Sequence, residues 1–102
     1  MFFGGSFSHA VLKTPAAGDF RVQERHGGRN SGHEPSAAEL RAAEAALAAV
    51  PGGEALLYAR VDLIGGNSDP LVMELELIEP HLFLTLSDGA AGRLADAIVA
   101  AC

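Results

Sequence analysis

The chain has one cysteine, no tryptophan and few basic residues, and these shortages exclude several classes of protein. The one cysteine among its 102 residues is Cys102, so an internal disulfide is excluded and a reducing compartment is expected. Seven lysines and arginines face 13 aspartates and glutamates, and a net charge of −6 argues against a general nucleic-acid binder. No apolar run approaches the roughly 20 residues of a transmembrane helix, and no signal peptide is recognisable. We therefore expect a cytoplasmic protein that binds neither nucleic acid nor membrane.

The remaining composition is that of one small globular domain. Hydrophobic residues make up 49% of the chain, which excludes an intrinsically disordered sequence. A chain of about this length buries roughly two thirds of the surface that it exposes when unfolded. Residues 1–102 are therefore predicted to form a single domain with a modest core.

The first residues predict a short hairpin. Gly4 and Gly5 separate Phe2-Phe3 from the alternating run Phe7–Lys13, and two glycines between apolar runs favour a tight turn between strands. A first strand of two or three residues is shorter than the usual five or six. The chain is therefore expected to be truncated at its N-terminus.

Residues 14–35 are predicted to form a long, mobile loop. The segment lacks periodicity and is rich in proline, glycine, aspartate, asparagine and serine. Loops of such length in compact domains are usually functional lids or disordered segments. A glycine-containing stretch of this segment lies between two cations, Lys13 just before the segment and Arg21 within it. This arrangement suits recognition of phosphate or carboxylate. A plain surface loop explains the same composition, since there is no Gly-Lys-Ser/Thr step of a Walker A loop.

Two helices are predicted in the rest of the chain. Ser36 and Glu39 have the spacing of a capping box, and the apolar stripe that follows ends before Pro51. A second helix is predicted from about Ser87 or Asp88 to Ala101, where apolar residues recur at helical spacing.

Between the helices, residues 55–64 and 71–78 predict a hairpin. Their connector is rich in turn residues and too short for a crossover helix, so the two strands should be antiparallel. Together these elements predict an α+β fold, an antiparallel β-sheet with two helices. If Ile64 faces Val72, then Asp62 faces Glu74 on one side of the sheet, whereas a shift of one residue would remove Asp62 from that side.

In this register three carboxylates converge, those of Asp62, Glu74 and Glu76. Like charges opposite one another destabilise a sheet, so the cluster suggests an oxygen-liganded cation such as Mg²⁺. A solvated acidic face, partly balanced by Arg60 opposite Glu76, is the competing interpretation. The four histidines and Cys102 have no zinc-type spacing and are interpreted as surface or core residues.

Two segments together resemble the C-terminal part of ATP-grasp enzymes, closest to the glutathione-synthetase-like group. One is Phe-Ser-His-Ala-Val-Leu-Lys-Thr-Pro-Ala-Ala-Gly-Asp-Phe-Arg-Val-Gln-Glu, within 7–28. The other is Ala-Arg-Val-Asp-Leu followed by Val-Met-Glu-Leu-Glu-Leu-Ile-Glu-Pro, within 58–84. The resemblance spans most of the chain, and the ordered pair of segments is more specific than either alone. It implies that the fold is the C-terminal subdomain of an ATP-grasp domain.

The resemblance also implies a set of site residues. It places Mg²⁺ (or Mn²⁺) on Asp62, Glu74 and Glu76, although the family usually has asparagine at the last of these positions. It assigns the γ-phosphate of ATP and the acyl-phosphate intermediate to Lys13 and Arg21 as catalytic residues. Gln23 is implied to assist them in binding ATP, at a position that often carries asparagine.

The implied activity is that of an ATP-dependent carboxylate–amine ligase acting on a small carboxylate. In such enzymes the residues that grip the adenosine lie largely upstream, so a missing N-terminal ATP-grasp half is an expected partner. Whether the chain is an active enzyme on its own therefore stays open. The alternatives are a truncated, non-catalytic remnant or interaction module without nucleotide, and a zinc or calcium site.

Overall fold

The computed structural model describes residues 1–15 and 28–102, which contain six strands and two helices. The elements are β1 (Phe2–Phe3), β2 (Ser6–Phe7), β3 (Ala10–Thr14), β4 (Arg29–His33), α1 (Ala37–Ala48), β5 (Tyr58–Ile64), β6 (Leu71–Glu76) and α2 (Ala90–Ala101). Single turns of 3₁₀-helix cover Gly53–Ala55 and Leu84–Leu86. The predicted α+β class, with antiparallel sheets and two helices, is confirmed.

The strands form two separate sheets. One has four strands in the order β2-β1-β5-β6, and the other contains β3 and β4. Every pair is antiparallel. Among the described residues, β6 therefore lies at one edge of the larger sheet.

The predicted N-terminal hairpin is confirmed. Phe2 pairs with Phe7, and Gly4 and Gly5 form the turn with φ values of +59° and +82°. Positive φ at both central residues is the requirement of the two-residue hairpin turn that matches strand twist, and glycine meets it without steric cost. The sequence signal was specific because few other residues tolerate this conformation.

The alternation along Phe7–Lys13 predicted one strand, and this prediction is wrong. It divides into β2 and β3, which belong to different sheets, with Ser8 and His9 between them. The break is occupied by the His9 side chain, which is 4% exposed and whose Nε2 lies 2.8 Å from the Leu82 carbonyl oxygen. No local pattern indicates that a histidine turns inward at this point.

The prediction of an irregular loop over 14–35 is wrong at both ends. Thr14 belongs to β3, and Arg29–His33 forms β4, in a register that pairs Lys13 with Asn30 and Ala10 with His33. Backbone pairing with β3 overrides the low strand propensity of Arg-Asn-Ser-Gly-His. Residues 16–27, the middle of the predicted loop, lie outside the described residues.

Helix α1 begins as predicted and supplies two of the four residues of a buried cluster. Ser36 is its N-cap, with a complete capping box to Glu39. Ala43 and Leu47, one turn apart, pack with Phe2 of β1 and Ala59 of β5 to form the buried cluster. The larger sheet is thereby fixed against α1, and β5 and β6 with it.

Helix α2 begins two residues later than the predicted Asp88. Its N-cap is Gly89 in the left-handed region, at φ +79°, and its first residue Ala90 is fully buried. The Arg93 guanidinium ties the helix to the chain before β3 by donating from Nε to the Ser8 hydroxyl at 2.9 Å. Ile98, in the second half of α2, is 44% exposed.

His9 should make folding stability fall in mild acid. Burial, the largest influence, lowers the pKa of His9; the Leu82 carbonyl opposes this, and the charges of the Met1 amino group and Arg93 add to it. Because the folded pKa is lower, the unfolded chain binds more protons below about pH 6.5. Stability is therefore full above that pH and is lost as the pH falls towards the folded pKa.

Urea unfolding between pH 7.5 and 5 checks this expectation. The stability of His9→Gln should decline less over this range than that of the wild type. The Met1 amino group, whose pKa burial lowers to about 6, titrates in both proteins, so the difference between the two declines reports His9 together with its repulsion from Met1. Identical slopes for the two proteins would contradict the role given to His9.

Candidate functional site

The acidic site lies on the hairpin β5–β6, in the predicted register. Arg60 pairs with Glu76 and Asp62 pairs with Glu74, so the expected cross-strand neighbours are confirmed. The expected pairing of Ile64 with Val72 is wrong, since Ile64 pairs with Leu71.

A β-bulge explains the difference. The register shifts between Asp62 and Leu63, which leaves Met73 as the extra residue on β6. A bulge adds a residue to one strand and increases the local twist. The turn-side end of the hairpin is therefore offset by one residue, whereas the end that carries the charges keeps simple alternation.

Arg60 is the central cation of the site. Its side chain is 9% exposed, and it holds Asp62 with two hydrogen bonds, from Nε to Oδ1 at 2.9 Å and from Nη2 to Oδ2 at 3.1 Å. Nη2 also donates to Glu76 Oε1 at 2.9 Å, and Nη1 to the His81 carbonyl at 3.1 Å. The planar guanidinium suits such a set of fixed acceptors, which a lysine could not satisfy.

Lys13 is the second cation at Asp62, and it comes from the other sheet. Its Nζ donates to Asp62 Oδ2 at 3.2 Å, although the two residues are 49 positions apart in sequence. The Lys13 side chain is 28% exposed and that of Asp62 is 9% exposed. One of the residues predicted to bind phosphate therefore lies beside the predicted metal ligands.

Phe83 supports both cations and was not singled out by the sequence. The centroid of its ring is 5.5 Å from Lys13 Nζ and 5.7 Å from Arg60 Cζ, within reach of cation–π attraction. The His81 ring stacks on the Phe83 ring with 4.0 Å between their centroids. Phe83 has φ +49°, a conformation that bulky residues rarely adopt. A backbone strained in this way marks a position that the surrounding contacts fix.

The charges of the site shift two carboxyl groups in opposite directions. Burial is the largest influence on Asp62 and would raise its pKa, but the hydrogen bonds and charges of Arg60 and Lys13 outweigh it and lower the pKa. The charge of Asp62 is the largest cause that raises the pKa of Glu74, which is exposed. Two cations therefore do not neutralise three carboxylates, and negative charge remains at the Glu74 end.

The three carboxylates fit an oxygen-liganded cation. Among the described residues, Asp62, Glu74 and Glu76 are the group whose potential ligand atoms lie close together, all within 4.8 Å of one another. Two ligands of one Mg²⁺ at about 2.1 Å each lie about 4.2 Å apart when opposite and about 3 Å apart when adjacent, so the three carboxylates must draw together to bind one ion. The other two predicted site residues, Arg21 and Gln23, lie outside the described residues.

A cavity of about 400 Å³ opens between the two sheets and α1, and Asp62 is the member of the acidic cluster that lines it. Lys13 and Arg60 line it too, with His33 and Glu39 as further polar residues, and Leu12, Leu63 and Met73 are among its apolar lining residues. Ligand sites usually combine such apolar walls with a few convergent polar groups. The cavity could thus accept a ligand with an apolar part and an anionic end.

The protein is thus an α+β chain with an acidic site on a hairpin and a cavity that has both apolar and polar walls. Comparison with known proteins adds one relative, the cycloserine biosynthesis protein DcsG of Streptomyces lavendulae, which is 34% identical over 109 residues. The similarity covers 95% of this chain but 34% of DcsG, so the chain spans about a third of the length of that relative. No protein-family model matches the chain. No solved structure gives a significant match.

Where the structure describes the chain, neither helix is long and apolar enough to cross a membrane.

Proposed function

We propose that the chain is the Mg²⁺- and ATP-binding part of a ligase that joins a small carboxylate to an amine or a related nucleophile through an acyl-phosphate. The observation that carries this proposal is the convergence of Asp62, Glu74 and Glu76 on one hairpin, with Lys13 at Asp62 Oδ2. The ATP-grasp resemblance associates this set of residues with that reaction. The similarity to a biosynthetic protein supports a biosynthetic role.

The donor set is the one that Mg²⁺ or Mn²⁺ prefers. Both are hard cations that take carboxylate oxygens, and Mg²⁺ in nucleotide sites commonly uses one or two carboxylates plus phosphate oxygens. The uncompensated charge near Glu74 favours a cation at this end of the hairpin. Bound Mg²⁺ would neutralise the charge that spreads over a transferring phosphoryl group.

The residues of the chain contribute binding and charge. Lys13 supplies a positive charge at the wall of the cavity, where a phosphate could accept its hydrogen bond. Arg60 holds Asp62 in one orientation through two hydrogen bonds, so that little reorganisation is needed when a ligand binds. We assign Arg21 and Gln23 to the same phosphate by resemblance. No protein nucleophile is required, and the single cysteine supports a cytoplasmic location.

A non-catalytic interaction module is the second candidate function. One part of the protein surface favours it. Among the described residues no large side chain is fully buried, and the turn-side end of the hairpin β5–β6 exposes apolar side chains. These are Ile64, Leu71, Val72 and Met73, with exposed fractions of 58, 65, 48 and 53%. Such a patch can mark a surface that another protein covers.

Thermal unfolding with separate ligands tests the proposal. We expect stabilisation when Mg²⁺ and ADP or ATP are present together, by about 2.7 kcal/mol at a hundred times the dissociation constant. Nucleotide together with a chelator should change the unfolding temperature little, because the phosphates and the carboxylates repel one another when no cation lies between them. Stabilisation by Zn²⁺ or Ca²⁺ without nucleotide would indicate a simple metal site. No shift with any of these ligands would support the interaction module.

A further inference from the structure

The oxygen Asp62 Oδ2 is already saturated with donors. It accepts from Arg60 Nη2 at 3.1 Å and from Lys13 Nζ at 3.2 Å, whereas Oδ1 accepts from Arg60 Nε. A carboxylate oxygen has two lone pairs, so Oδ2 has no lone pair left for a third partner. Oδ1 accepts from Arg60 Nε alone and keeps one lone pair. A metal ion that binds Oδ2, alone or together with Oδ1, must therefore replace one of the two donors at Oδ2.

Arg60 is the donor that is hard to remove. Its side chain is 9% exposed and makes hydrogen bonds to Asp62, Glu76 and the backbone of residue 81. Leaving Asp62 would strand a buried guanidinium without its main counter-ion, which is a large electrostatic cost. The Phe83 ring lies beside both cations, so it does not distinguish Arg60 from Lys13.

Lys13 is the donor that can leave. It makes one hydrogen bond to Asp62, its side chain is 28% exposed, and it ends in a compact ammonium group on a flexible four-carbon chain. A partly exposed ion pair of this kind contributes about 1 kcal/mol or less. Lys13 also lines the cavity, so its Nζ can move away from Asp62 without crossing the protein.

We propose that Lys13 is a displaceable cation, which competes with Mg²⁺ for Asp62 Oδ2 and, once displaced, is free to bind the phosphate of a ligand in the cavity. This inference rests on the proposed function. It makes Lys13 a coupling residue, since one side chain cannot hold Asp62 and a phosphate at the same time. Metal and nucleotide should therefore bind cooperatively, because each removes Lys13 from the contact that opposes the other.

An NMR experiment can follow the displacement directly, because Lys13 is the only lysine of the chain. Reductive methylation with ¹³C-formaldehyde labels its amine and the α-amino group, and the Lys13→Arg variant identifies the lysine signal by its loss. Titration of the wild type with Mg²⁺ alone should move the lysine signal in a saturable manner. Addition of ADP should then produce a second shift.

Binding of Mn²⁺ without nucleotide, measured by electron paramagnetic resonance, gives an independent readout. Lys13→Met should bind Mn²⁺ about fivefold more tightly than the wild type, the equivalent of one weak ion pair removed from the competition. Lys13→Arg keeps the charge and the donor and should stay within about twofold of the wild type. Arg41→Met, on the exposed face of α1, removes the same formal charge elsewhere and is the control for net charge.

The outcomes separate this inference from the function on which it rests. Saturable Mn²⁺ binding with an unmoved lysine signal, or weaker binding by Lys13→Met, would overturn the displacement and leave the metal site standing. Binding that tightens equally in Arg41→Met would also overturn it, because the effect would then follow net charge. Absence of Mn²⁺ binding in all variants, with and without nucleotide, would overturn the proposed function as well.

Discussion

Replacing Arg60 by methionine should destabilise the chain more than any other single change at the site. The substitution keeps much of the side-chain volume but leaves Asp62 and Glu76 without their common partner. Removal of one partner from a buried ion pair costs about 3–5 kcal/mol, and we expect the lower end of this range because Lys13 still pairs with Asp62 and the Glu76 side chain is partly exposed. Urea unfolding at pH 7.5 should show this loss. Arg41→Met, on the solvent-exposed face of α1, should change stability by less than about 0.5 kcal/mol.

The pH dependence of folding stability is a second test of the role of Arg60. In the wild type the pKa of Asp62 is lowered in spite of its burial, so its contribution is present above the unfolded pKa and is lost as the pH falls. Without Arg60, burial acts against Lys13 alone and the folded pKa rises. The difference in stability between Arg60→Met and the wild type should therefore narrow as the pH falls from 7 to 4. A constant difference across this range would show that the charge of Arg60 is not the cause.

Asp62→Asn should abolish the response to ligand. The amide keeps the shape of the side chain but loses the negative charge that both cations and a metal require. The wild type should gain about 2.7 kcal/mol from Mg²⁺ and ADP at a hundred times the dissociation constant, which is roughly 10–20 °C in Tm for a domain of this size. The variant should gain almost nothing under the same conditions, as measured by differential scanning fluorimetry.

Two further variants are controls for the result with Asp62→Asn. Glu44→Gln removes an acidic residue from the exposed face of α1 and should keep the full ligand response. Glu76→Asn introduces the residue that is usual in ATP-grasp enzymes, and an amide oxygen can still act as a ligand. We expect it to retain binding. An undiminished response in Asp62→Asn would remove Asp62 from the site.

The pairing of Asp62 with Glu74 was predicted from Ile64 opposite Val72, but Ile64 faces Leu71, and the bulge at Met73 restores the predicted pairing. The alternation that puts Glu74 and Glu76 on one face of β6 was predictable because its information is local. The same holds for the capping box at Ser36 and the glycine turn at the N-terminal hairpin. In each case a few neighbouring residues fix the backbone geometry.

The rest of the site depends on contacts between distant segments. Lys13 reaches Asp62 across 49 residues, and nothing in the local sequence indicates which side of its sheet faces the hairpin. The aromatic support from Phe83 requires a left-handed backbone at a residue type that seldom adopts it. The bulge at Met73 has no glycine to signal it. Tertiary contacts decide these features, and one sequence does not reveal them.

The position of β6 at the edge of its sheet has a consequence for how the protein behaves in concentrated solution. An edge strand with exposed apolar residues can pair with another copy and begin aggregation, and natural proteins oppose this with charges on the same strand. Glu74 and Glu76 are the charges that β6 carries. Copies of the chain that approach edge to edge therefore bring their acidic groups together and repel. The same two carboxylates that we assign to a metal also oppose this pairing between copies, so neutralising both would promote self-association.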